Sequence, residues 1–275
     1  MKKYFVWGFL SFLVIAFACH KKHDYTPSPT STLSNCVITS EYRNGIIAGS
    51  FVYNSNSKDS IIILYDSTGA IAVKVSLVYY SDGAFNKISF TKGSVSGYIS
   101  YKYDSQDRPI GQYTYVDFFG AMLIDSVSFS YSGNSSNIIK ETNYSIGNVL
   151  LGTSSSVYIS YYTYDINGNV LTETDSASGA ITDSYIYTYD NDLSSQGVNL
   201  SNAINEFNTT NKYPDIAYLN CKNNIVSMTH KDGNGVVQSD SYSATYTYNN
   251  NNNPITEAYT SGGKTINYLY NYNCK

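Results

Sequence analysis

His230, with Lys231 between it and the Asp232-Gly233-Asn234-Gly235 turn, is the only imidazole beyond the first 23 residues. Any serine or cysteine nucleophile in the body of the chain therefore has one base to draw on. A lone histidine beside a turn is expected to be solvated rather than catalytic. Ser-x-x-Lys, a spacing that lets a lysine activate a serine, occurs at Ser55–Lys58, Ser89–Lys92 and Ser261–Lys264. The accompanying Lys-Thr-Gly box is missing, and a serine-rich chain produces the spacing by chance. Asp165-Ile166-Asn167-Gly168-Asn169 alternates oxygen donors as a calcium loop does. Its glycine stands at the fourth place and no glutamate closes a twelve-residue loop, so a turn accounts for it better. There is no Cys-x-x-Cys, His-Glu-x-x-His or phosphate-binding glycine loop, and neither a metal nor a cofactor is expected. Glycoside hydrolysis needs only two carboxylates, which 21 acidic residues can always supply. Most of the aspartates, however, stand in Tyr-Asp and Asp-Gly contexts, where accepting backbone N–H bonds is their ordinary use. The expectation is a chain without a catalytic residue.

The elements that would hold such residues are strands. Tyr242, Ala244, Tyr246 and Tyr248 alternate with Ser241, Ser243, Thr245 and Thr247, and Ile266, Tyr268, Tyr270 and Tyr272 alternate with Thr265, Asn267, Leu269 and Asn271. Period two with aromatic and β-branched residues defines a strand with one ring-bearing face. Asn44-Gly45, Asp82-Gly83, Asn167-Gly168 and Asn234-Gly235 tolerate positive φ and punctuate these runs as hairpin turns. The fold class expected is all-β, a long antiparallel meander of Tyr-rich hairpins, curled or barrel-like. Leu200, Ala203, Ile204 and Phe207 fall at helical spacing, which predicts one short helical insertion near 200–208. A phenol joins a large apolar ring to a polar tip, so tyrosine suits a sheet face that is partly wet. Tyr242, Tyr246, Tyr248, Tyr268 and Tyr270 are the candidate ligand-facing aromatics, because such rings also stack on sugars.

At the N-terminus Lys2 and Lys3 precede an apolar stretch from Tyr4 to Ile15 and then Ala16-Phe17-Ala18-Cys19, the order of a secretion signal. The small residue before Cys19 resembles a bacterial lipobox, whose cysteine is lipidated after cleavage. Ala16-Phe17-Ala18 also fits ordinary signal cleavage. The organisation expected is a signal peptide over 1–18, a lipid-anchored flexible tether over 19–35 and a single all-β domain over 36–275. Two or three acyl chains on Cys19 would suffice as an anchor. His20 in place of aspartate favours the outer membrane, facing either the periplasm or the exterior. The partners expected are the membrane, through that lipid, and glycans or envelope proteins. With 17 Lys+Arg against 21 Asp+Glu the chain carries no nucleic-acid footprint. A membrane-spanning barrel also alternates, but it needs an outward aliphatic band, and here the faces are Tyr and Ser/Thr.

A strand ending in Tyr-Asp, a polar turn and an aliphatic restart recurs at Tyr65-Asp66, Tyr103-Asp104 and Tyr164-Asp165, with degenerate copies at Tyr189-Asp190 and Tyr248-Asn249. The stretches 101–110 (YKYDSQDRPI) and 162–171 (YTYDINGNVL) resemble YD repeats of the RHS group. Together with the lipobox, the chain is similar to Bacteroidota YD-repeat lipoproteins over roughly residues 60 to 275. The resemblance implies a curled or barrel-like sheet and an envelope address, and it carries over no catalytic residue. Arg108 matches the repeat's Gly-Arg only in part and Asn169 replaces that arginine, so no large RHS shell is implied.

With Cys19 committed to lipid, Cys36, Cys221 and Cys274 allow one internal disulfide and three pairings. If the first and last strands of the curled sheet meet antiparallel, Cys36 lies beside Cys274, which favours that pair. Two functions follow as expectations. One is a non-catalytic envelope lipoprotein acting as a tethered β-scaffold or binding protein. The other is a carbohydrate-binding module using a Tyr-rich face, with a glycoside hydrolase less favoured.

Overall fold

The computed structural model describes residues 36–55, 58–81, 84–117, 121–145, 155–194, 216–219 and 221–274. Cys19, the tether over 19–35 and the helix predicted near 200–208 lie outside the described residues.

Sixteen strands follow one another as a meander. The first eight are β1 (Cys36–Arg43), β2 (Ile46–Tyr53), β3 (Asp59–Tyr65), β4 (Ile71–Tyr79), β5 (Phe85–Lys92), β6 (Val95–Tyr103), β7 (Pro109–Asp117) and β8 (Ala121–Tyr131). The next four are β9 (Ile138–Ser145), β10 (Ser156–Tyr164), β11 (Val170–Ala177) and β12 (Ala180–Leu193). A four-residue helix, α1 (Ile216–Leu219), precedes β13 (Asn223–Asp232), β14 (Tyr242–Tyr248), β15 (Pro254–Ser261) and β16 (Lys264–Cys274). Each strand pairs antiparallel with its sequence neighbours and β1 pairs with β16, so the sheet is a closed barrel. The all-β, barrel-like expectation is met, and closure removes the exposed sheet edges of an open meander.

Closure puts Cys36 opposite Cys274 in the outermost pair of β1 and β16, where the two form a disulfide across a sequence separation of 238. Cys221 stays a thiol, buried beside the Tyr189 hydroxyl at 3.6 Å. Because the meander alternates direction, both ends of the barrel wall lie at one rim, here the terminal rim. The β1–β2, β3–β4 and later odd-to-even hairpins form the far rim.

One turn is built five times. At Asp66, Asp104, Asp165, Asp232 and Asn249 the side-chain Oδ1 accepts the N–H of the second and fourth residues on, as in Thr68 and Ala70 or Gln106 and Arg108. The third residue on has positive φ: Gly69, Asp107, Gly168, Gly235 and Asn252. Glycine, aspartate and asparagine are the residues that tolerate this, which explains why the turn sequence varies only within that set. The Asp66 and Asp232 turns stand at the far rim while those at Asp104, Asp165 and Asn249 stand at the terminal rim. The sequence repeat is therefore a turn motif used at either end, not one structural unit copied in a fixed orientation.

Tyrosines at the terminal-rim ends of the even strands have their own task. Tyr103, Tyr131, Tyr164 and Tyr189, near the terminal-rim ends of β6, β8, β10 and β12, donate their hydroxyls to the carbonyls of Phe85, Pro109, Ile138 and Val170 at 2.6–2.7 Å. Each acceptor is the first residue of the preceding odd strand, beside a register shift that frees its carbonyl. Every such ring ties its hairpin to the one before it, at about 0.5–1.5 kcal/mol net per bond.

The interior has two characters. From β2 to β6 the inward row is aliphatic and phenyl: Phe51, Ile62, Leu64, Val73, Val75, Leu77, Ile88, Phe90 and Ile99 are 0–6% exposed. A round sixteen-stranded tube would leave a water-filled lumen. Burial this complete in one contiguous cluster leaves no water beside these side chains. Gly97 lets the Phe90 ring lie over its own cross-strand partner, since a Cβ there would fall 2.5 Å from that ring. From β9 to β16 the inward row is instead Tyr with Glu, Asp and His.

The outward row is hydroxylated. Thr163 meets Thr172 at 2.6 Å, Thr260 meets Thr265 at 2.9 Å, and Thr188–Ser227 and Thr247–Thr256 pair likewise across strands. Exposed apolar residues stand among them, some singly, such as Val52 and Val78, and some together, such as Tyr144 opposite Val157. A lipid-facing barrel presents an apolar band there. No helix among the described residues is long and apolar enough to cross a membrane.

Candidate functional site

The candidate site is the polar half of the interior, β9 to β16, where side-chain chemistry concentrates. The candidate ligand-facing Tyr242, Tyr246, Tyr248, Tyr268 and Tyr270 all lie on the inward row of β14 and β16, and the structure brings them into packed pairs rather than an outward platform. Tyr268 and Tyr270 stack at 6.4 Å, Tyr246 and Tyr248 lie at 6.3 Å, and Tyr242 packs on Tyr259 at 4.6 Å. Tyr270 is 3% exposed. Its hydroxyl donates to Glu257 Oε2 at 2.5 Å, Tyr246 donates to the Ile225 carbonyl at 3.0 Å, and Tyr248 donates to Asp190. The ring-bearing face is therefore the inside of the barrel, and the hydroxyls of Tyr246, Tyr248 and Tyr270 are committed to the barrel's own acceptors.

Carboxylates sit among these phenols. Burial pushes the Glu257 carboxyl above its ordinary pKa, against the bonds from Tyr270 and Tyr246 that favour its charged form. Glu173 Oε2 accepts from Tyr218 and lies 3.4 Å from the Tyr187 hydroxyl, which is 2.8 Å from that of Tyr218. Tyr218 comes from α1, which lays this ring against Tyr187 and edge-on to Tyr162. The helix thus plugs the terminal rim beside β10–β12, a role that no spacing in its four residues announces.

His230 lies at the far rim, stacked on Tyr185 at 4.4 Å. Its Nε2 meets Asp183 Oδ1 at 2.8 Å and its Nδ1 meets Asp240 Oδ1 at 2.7 Å. Burial lowers the imidazole pKa, but the hydrogen bonds and charges of Asp183 and Asp240 outweigh it and the net shift is upward. Ser241 Oγ engages the His230 backbone, accepting its N–H at 3.0 Å, rather than the ring. With both ring nitrogens held by carboxylates, His230 is a strut between β12 and the β13–β14 turn, not a base poised on a hydroxyl. The expectation of a solvated histidine is corrected to this extent, since the ring is largely covered.

The Ser-x-x-Lys lysines are also placed structurally: Lys58 Nζ stands over the Tyr79 ring at 5.1 Å, and Ser261 Oγ donates to the Ser239 carbonyl at 3.2 Å. Asp165 closes its turn, as read from the sequence. No group of three or more His, Cys, Asp and Glu able to hold a metal occurs among the described residues.

A feature that the sequence reading missed lies where the two halves meet. Tyr101 OH, Gln112 Oε1, Thr114 Oγ1, Asp125 Oδ1 and Asn143 Oδ1 are buried without a hydrogen-bond partner in the protein. Burial pushes the Asp125 carboxyl up to about 7. Each unmet buried polar group costs about 1–3 kcal/mol. In β7 the usual signal is inverted: Gln112 and Thr114 point inward while the aromatic row, Tyr113 and Tyr115, points outward. Tyr115 stacks on Tyr98 at 4.7 Å on the outer surface, with Lys87 Nζ at 4.1 Å from the Tyr98 ring, and Tyr144 is 46% exposed nearby.

No family model and no curated protein matches the chain. Among solved structures it is similar to a porin-like protein from Bacteroides vulgatus, at 10% identity and TM-score 0.46 over 86% of this chain and 98% of that one. A porin-like protein from Bacteroides uniformis is similar at 12% identity and TM-score 0.35, over 86% and 96% of the two chains. The TcdB2-TccC3 structure is similar at 13% identity and TM-score 0.33, over 83% of this chain and 13% of its own.

Proposed function

We propose that this chain is a non-catalytic envelope protein, a filled β-barrel held to the outer membrane by lipid on Cys19 and acting as a tethered scaffold for other envelope components. The observation that carries the reading is the use made of tyrosine. The inward rings are spread around the wall, packed across strands, and their hydroxyls bond neighbouring hairpins and interior carboxylates. A recognition module would instead leave rings and polar groups converging on open space. The filled interior and hydroxylated exterior support a barrel that stands beside the bilayer, not one that conducts through it. The YD-repeat resemblance fits the five-fold turn and supports the same reading.

The alternative, glycan binding, draws on one observation. The outward rings Tyr98, Tyr115 and Tyr144 form a patch on β6, β7 and β9 that can stack on sugar faces. A glycan-array screen of the purified chain separates the two. The scaffold reading expects no specific, competable binding; binding lost in Tyr115→Ala would replace it. Lipid attachment is checked by the mass of the mature N-terminal peptide, expected to carry acyl chains on Cys19 and to lose them in Cys19→Ala.

A further inference from the structure

The five unpartnered oxygens occupy two adjacent rungs of the wall. Thr114 stands opposite Asp125, while Tyr101, Gln112, Val127 and Asn143 follow one another across β6 to β9 in the next rung. Asp125 is the centre: Thr114 is its direct cross-strand neighbour, about 5 Å away at Cβ, and Gln112 and Asn143 are its diagonal neighbours at about 7–8 Å, which puts all three within side-chain reach of it. Gln112, Thr114 and Asp125 are 2%, 1% and 4% exposed. The amide oxygens and an ionised carboxylate oxygen accept and cannot donate. The Tyr101 and Thr114 hydroxyls supply one O–H each against three acceptor oxygens, so rotation leaves at least one acceptor unmet, whereas a cation would meet them together.

We propose that Asp125, Thr114, Gln112 and Asn143 form a binding site for a hard divalent cation of the calcium class. Calcium takes carboxylate, hydroxyl and amide-carbonyl oxygens in a loose shell completed by water, whereas magnesium demands a tighter octahedron. The cluster offers no nitrogen or sulfur ligand for a softer metal. A single carboxylate among neutral oxygens places the affinity at the weak end, about 10⁻⁴–10⁻³ M.

The test titrates the full chain with Tb3+, whose emission a neighbouring tyrosine sensitises, and with Ca2+ while Tm is followed. The expected result is saturable Tb3+ emission displaced by millimolar Ca2+, a rise in Tm with Ca2+ but little with Mg2+, and at least a ten-fold weakening in Asp125→Asn. Thr114→Val keeps the shape of the side chain and removes its oxygen; it is expected to weaken Ca2+ several-fold and decides the matter if Asp125→Asn does not fold. An unchanged Ca2+ response in the folded variants, or no saturable response in the wild type, overturns the proposal. The second outcome would mean that water alone meets these oxygens.

Discussion

The walls from β2 to β6 and from β9 to β16 share one ladder and one closure yet are filled by opposite means. The first excludes water with Ile62, Leu64, Val73 and Val75, each 0–2% exposed. The second fills the same kind of space with phenols hydrogen-bonded to Glu173, Asp190 and Glu257. Aliphatic packing is non-directional and depends on volume, whereas the phenol–carboxylate half depends on each bond being made. The first half should therefore respond to lost volume and, through the buried Asp59 whose carboxyl burial raises to about 6, to pH, and the second to lost hydroxyls and to pH.

The largest effect is expected from Leu64→Ala in the aliphatic wall, which should lower the unfolding free energy by about 2–5 kcal/mol in urea titration. Cys36→Ser, which opens the join between β1 and β16, should cost about 2–5 kcal/mol by the same measurement, since the bridge closes a very long loop. A cost near zero for either would mean that the halves are not filled or joined as described. Tyr164→Phe, which removes only the hydroxyl on the Ile138 carbonyl, should cost about 0.5–1.5 kcal/mol.

The pH effects are smaller and sharpen the contrast. Asp125 has a folded pKa raised from 3.8 to about 7, so without added divalent cation its protonation favours the fold, and stability falls as pH rises from about 4 through 7. His230 is raised above 6.5, so its contribution is present below that value and is lost as pH rises through the folded pKa. Denaturation at pH 5, 7 and 9 should show both losses. Asp125→Asn should reduce the first, to which Asp59, raised to about 6, also contributes, and His230→Gln should remove the second, while Leu64→Ala should leave the pH profile parallel to the wild type. The turn aspartates act in the other direction: hydrogen bonds from Thr68 hold Asp66 below its usual range, a contribution lost only as pH falls below about 4.

Alternation in Tyr242–Tyr248 and Lys264–Cys274 made the strands and their shared faces legible in the sequence, and Asn-Gly and Tyr-Asp pairs marked the turns. Which face is interior was not legible, because period two reports that residues share a side and not what lies on it. That is why Tyr246 and Tyr270 read as ligand-facing and instead bond the neighbouring strands on the inside of the barrel. Tyr113 and Tyr115 show the converse, an aromatic row turned to solvent. Gln112 and Thr114 offered no signal beyond their being polar in a strand, and their significance comes only from the register that sets Asp125 and Asn143 beside them. The Asp232 turn escaped the repeat because no tyrosine precedes it.

The Cys36–Cys274 bridge also has a mechanical meaning. A pull applied to the two ends of the wall would otherwise separate β1 from β16 one rung at a time, the weakest direction in which to load a ladder. The bridge sits at the first rung of that pairing, so the tension passes through a covalent bond and the ladder behind it carries no load. A pull applied at residue 36 therefore does not unzip the barrel.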